Sequence, residues 1–122
     1  MKRAPSRFTS GVLALLAVSP ILSSANDEGV LIRSGFVSGQ QYLALAEEKQ
    51  SAYAMGVVDG ILLAPIFGAP KKRMLQLEDC LTGMSDTQVA AILTKYLRDH
   101  PARWHDSAHV LMYSALLDAC PK

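Results

Sequence analysis

Residues 85–120 read SDTQVAAILTKYLRDHPARWHDSAHVLMYSALLDAC, and this stretch decides the fold class. Ser85 followed by Gln88 has the spacing of a capping box, in which a hydroxyl and a side-chain amide satisfy the free N–H groups of a helix start. Val89, Ile92, Leu93, Tyr96 and Leu97 then fall at i, i+3, i+4, i+7 and i+8, the apolar face of an amphipathic helix. His100–Pro101 ends it, because the residue before a proline is pushed out of the helical region. A last helix is predicted from about Asp106 to Ala119, apolar on more than one side and so placed centrally.

The same signals extend upstream. Residues 26–37 are mixed and contain Gly29 and Gly35, which predicts an irregular lead-in. Ser38 and Gln41 repeat the capping-box spacing before GQQYLALAEEKQ, the first predicted helix. SAYAMGVVDGILLAPIF continues it or follows a bend near Gln50, and Pro65 and Gly68 end that second helix. GAPKKRMLQLEDCLTGM reads as a loop by its glycine, proline and charge content. With no convincing strand pattern, the class is all-α, a small bundle of about four helices.

The short HPARWH connection favours antiparallel packing of the last two helices. Cys80 precedes one of them and Cys120 ends the other, so the topology brings the chain's two cysteines together and predicts a disulfide. Closing that loop should stabilise the fold by roughly 3–4 kcal/mol on a chain-entropy argument.

Other residues invite chemistry and mostly decline it. His105 and His109 are four apart and could share a helix face, but zinc needs three or four ligands and no motif supplies the rest. No metal site and no cofactor are therefore assigned. Gly56 and Gly60 lie on one helix face with Asp59 beside them. Glycine costs a helix up to about 1 kcal/mol against alanine, which points to close helix packing there. Lys71, Lys72, Arg73, Met74, Leu75 and Gln76 are the candidate partner-binding residues, set against the ordinary reading of a solvated charge run. The chain has no G-x-S-x-G elbow, phosphate loop or dinucleotide fingerprint, so no catalytic residue and no enzyme activity are assigned.

The 122-residue chain opens with Lys2, Arg3 and Arg7, an apolar run from Gly11 to Leu22, and Ser23, Ser24 and Ala25. This is the layout of a secretory signal peptide over residues 1–25, and the run falls short of the roughly 20 apolar residues that span a bilayer. Cleavage after Ala25 leaves residues 26–122 as one domain with no membrane segment. Its 12 Lys and Arg less those three, against 11 Asp and Glu, leave a net charge of −2. Nucleic acid, which calls for a clustered basic excess, is not a partner. Export also favours pairing of an even cysteine count.

YAMGVVDGILLA and the run from Cys80 to Pro121 resemble the Rap–Tai family of periplasmic immunity proteins. The resemblance rests on an ordered series: Tyr53, Gly56, Asp59, Gly60, Cys80, Gly83, Ser85, Tyr96, Leu97, His100, Pro101, Ala108, Ala115, Leu116 and Cys120. Departures are Ala46 and Ala54, where many relatives carry further cysteines, Leu81 and Thr82, where relatives usually have a proline, and Cys120 preceding Pro121 instead of following a proline. The resemblance implies an exported helical protein, often a homodimer. It would bind and sterically block a cognate peptidoglycan amidase effector, a cell-wall toxin delivered by type VI secretion. Two other roles stay open for such a domain: a small periplasmic helical stress chaperone, and an envelope-assembly partner.

Overall fold

A computed structural model describes residues 34–121. The expected signal peptide lies outside the described residues. Five α-helices form the domain: α1 (Gly39–Leu43), α2 (Glu47–Leu62), α3 (Lys71–Leu81), α4 (Asp86–Asp99) and α5 (Ala108–Ala119). Short 3-10 turns at Ala64–Phe67 and Pro101–Arg103 join α2 to α3 and α4 to α5. The domain is all-α, as its sequence pattern predicts.

Both capping boxes form. The Gln88 N–H donates to Ser85 Oγ and the Ser85 N–H to Gln88 Oε1, at 3.2 and 2.8 Å, and Ser38 and Gln41 repeat the arrangement at α1. The predicted stripe on α4 faces inward, with Val89, Leu93 and Leu97 buried. It packs between α2 and α5. α5 buries Ala108, Leu111, Met112, Ala115 and Leu116, the largest share of the core from any one helix.

Two expectations are corrected. The first two helices do not meet at Gln50; the chain breaks at residues 44–46. Gln50 instead reaches back from α2, its Nε2 donating to the Tyr42 carbonyl at 3.0 Å and so satisfying the open end of α1. The stretch predicted as a loop contains α3. Gly68 and Pro70 punctuate the chain only before the helix, where an N-terminal proline loses no helical hydrogen bond. From Lys71 to Leu81 there is no Gly or Pro, and Met74, Leu77 and Leu81 recur on one face.

Tyr42 is fully buried, its ring tilted on Tyr53 with centroids 5.7 Å apart and its hydroxyl donating to the Ala90 carbonyl at 3.2 Å. Burial pushes its phenol pKa up. The lead-in is held against the α4–α5 connection. Ala108 N–H donates to the Val37 carbonyl at 2.8 Å, and Gly39 and Gln40 N–H donate to the Asp106 and Trp104 carbonyls, both at 2.9 Å. A Cβ on Gly39 would lie 2.6 Å from Leu97 Cδ2, 2.9 Å from Leu111 Cδ1 and 3.3 Å from the Trp104 backbone.

Gly39→Ala should therefore lower stability by about 1–3 kcal/mol through overpacking. Gly60→Ala, in open space on α2, should raise it by up to about 1 kcal/mol. Urea titrations of both variants, compared at equal m-value, check the opposite signs.

Candidate interaction site

The candidate contact residues, expected in a loop, lie on α3, and the helix divides them. Lys71, Lys72 and Gln76 are exposed, Leu75 is 62 % exposed, and Arg73 is half-buried with its Nη1 donating to Gln76 Oε1 at 3.4 Å. Met74 is corrected. It lies in the core at 6 % exposure, because it shares the inward face of α3 with Leu77.

The glycine pair is corrected as well. Gly56, Asp59 and Gly60 lie on the solvent side of α2, opposite Ser51, Ala54 and Val58. A Cβ at either glycine would meet nothing within 4 Å, so neither glycine makes a close helix contact among the described residues. Asp59 borders an open groove of about 350 Å³ with Met55, Leu62, Glu78, Met84 and Asp86. Apolar side chains floor the groove and carboxylates edge it.

The most exposed apolar side chains are ones that sequence reasoning passed over. Ile66 and Phe67, in the turn between α2 and α3, are 74 % and 85 % exposed, and Leu63 beside them is also exposed. Their sequence reads as the end of the apolar second helix. The signal that could have found them is Pro65 together with Gly68, whose left-handed φ of 95° turns the chain back and leaves the intervening pair outside the bundle. An apolar tip, the cations Lys71 and Lys72, and Leu75 thus follow one another on one arm of the domain.

The histidine-containing turn is framework. His105 precedes α5, so it shares no helix face with His109. His100 stacks on Tyr96 with ring centroids 4.1 Å apart, and its Nδ1 lies 2.8 Å from the Tyr96 carbonyl. Arg103 bridges Asp106 Oδ2 at 2.9 Å and the Tyr96 hydroxyl at 2.7 Å, and the hydrogen bond to Asp106 raises its pKa further. Trp104 Nε1 closes the end of α4 by donating to the Leu97 carbonyl at 2.7 Å. Among the described residues no group of three or more His, Cys, Asp or Glu side chains comes together as a metal site. No described helix is long and apolar enough to cross a membrane.

The cysteines meet as the topology predicts. Cys80, at the end of α3, is bonded to Cys120, at the end of α5, with Cα atoms 5.9 Å apart.

A family model described as Rap1a immunity proteins matches residues 34–121. No curated protein and no solved structure gives a significant match.

Candidate contact residues and framework residues should separate in a stability measurement. Phe67→Ser and Leu75→Ser should stay within about 0.5 kcal/mol of the parent, as surface changes do, whereas Leu77→Ala should cost about 2–5 kcal/mol. Chemical denaturation of the three variants reads the difference.

Proposed function

Because the chain belongs to the Rap1a immunity protein family, we propose that it is a periplasmic immunity protein against one cognate peptidoglycan amidase effector of a type VI secretion system. The family match over residues 34–121 carries this reading, and the disulfide supports the oxidising compartment it requires. Residues 1–25 direct export and are removed, leaving residues 26–122 as the working domain. Proteins of this family are generally non-catalytic. Inhibition is steric: the immunity protein, acting as a homodimer, covers the cleft in which the amidase would receive its peptide substrate.

The contact is assigned to the arm made by the α2–α3 turn and the exposed side of α3. Ile66 and Phe67 offer apolar area that water would leave on binding, at about 25 cal/mol per Å² removed. Lys71 and Lys72 offer charge to an acidic rim, where they would hasten encounter more than tighten the complex. Leu75 and Gln76 extend the surface along the helix. Met74 belongs to the support beneath it.

The test is protection of cells. The product of the neighbouring gene, as candidate effector, is directed to the periplasm and co-expressed with the full chain or with a version lacking residues 1–25. Lysis should be prevented only by the full chain, and the pair should co-purify. A toxic neighbour that is neither bound nor neutralised would remove that pairing. Client capture that switches on with acid, with no effector bound, would favour a chaperone instead.

A further inference from the structure

α3 is the one long helix of the domain whose own sequence works against it. Lys71, Lys72 and Arg73 occupy its first turn, where the positive end of the helix dipole repels them, and Glu78 and Asp79 sit near the negative end. Pro70 gives it no side-chain cap, unlike the Ser85 box on α4. At 11 residues it is shorter than the ~12–15 needed for even marginal helicity in isolation. Its buried contribution is two side chains, Met74 and Leu77, against five from α5.

The chain on either side of α3 is built to turn. Gly68 and Gly83 are the only described residues with positive φ, at 95° and 86°, and they bracket the helix. Neither has an atom within 4 Å of where a Cβ would sit. Each is an open joint. Between them, one covalent bond ties α3 to the core: Cys80 to Cys120, whose own position is set by burial and by its N–H donating to the Leu116 carbonyl at 2.9 Å.

We propose that the Cys80–Cys120 disulfide is a latch that holds α3 as a hinged arm between Gly68 and Gly83, and that opening it releases this arm while α2, α4 and α5 stay folded. A dithiol opens the latch by delivering two electrons and two protons. Cys80 and Cys120 become thiols and the dithiol becomes a disulfide. Docking through Met74, Leu77 and the half-buried Leu81 then competes with the freedom of a short helix whose charges oppose its dipole, and the arm is set loose. The part of this inference that concerns binding rests on the proposed function: the latch presents Leu75, Lys71 and Lys72 in one fixed arrangement, so the oxidised form is the binding form.

Hydrogen exchange of the domain, oxidised and after reduction with dithiothreitol, tests the latch without any effector. The Cys80→Ser/Cys120→Ser double variant is run beside them. Peptides within residues 69–82 should exchange at least tenfold faster in the reduced and variant proteins, while those of α4 and α5 keep their protection. Equal protection of residues 69–82 in all three overturns the proposal, and so does loss of protection in α4 and α5 together with the arm. Effector binding, measured on the same samples, should weaken at least tenfold on reduction. Unchanged binding with a loosened arm would leave the latch standing and remove α3 from the contact surface.

Discussion

The burial of one face of α4 organises the domain. Val89, Leu93 and Leu97 cannot leave water unless something covers them, and α2 and α5 do so from two sides. Their positions then set the rest. The turn after His100 must bring α5 back along α4, and Trp104 adds a second hydrogen bond to the Leu97 carbonyl, which also accepts the His100 N–H. α1 is too short to hold itself and survives because Tyr42 reaches the Ala90 carbonyl on α4 while Gln50 satisfies its own carbonyls. A domain of this size has few buried side chains to share among its helices, so each long-range hydrogen bond counts for more.

Much of this was legible in the sequence because the signals are local. A Ser followed three residues later by Gln, a proline after His100 and a 3.6-residue stripe each act within one or two helical turns. The disulfide was legible by one further step, since two antiparallel helices with a short connection place Cys80 beside Cys120. α3 was missed because composition was weighed over periodicity: Lys71, Lys72 and Arg73 look like a loop, although Met74, Leu77 and Leu81 already mark an inward face. Gly56 and Gly60 were misread for a different reason. Spacing shows that two residues share a face but not whether that face looks inward, and on α2 only its partners decide.

The candidate contact surface was the least legible part. A core residue is constrained by its neighbours in the same chain, so pattern reveals it. A contact residue answers to another molecule, and Ile66 and Phe67 carry no internal mark beyond the Pro65 and Gly68 that expel them. Family membership meets the same boundary. It identifies the framework of helices and the kind of task, while the surface that selects one effector over another is set by side chains the framework does not constrain.

The bonds between the lead-in and the α4–α5 connection have a consequence for how such a chain comes into being. Gly39 and Gln40 need the carbonyls of Asp106 and Trp104, Tyr42 needs Ala90, and Cys80 needs Cys120. Each early segment thus waits for a partner 40 or more residues later in the chain. A polypeptide that emerges from its N-terminus, whether at a ribosome or through a narrow export pore, cannot complete these contacts until α4, the connection after it and Cys120 have followed. Delayed closure of this kind keeps a nascent chain threadable, and it makes arrival of those later segments the event that commits the molecule to its shape.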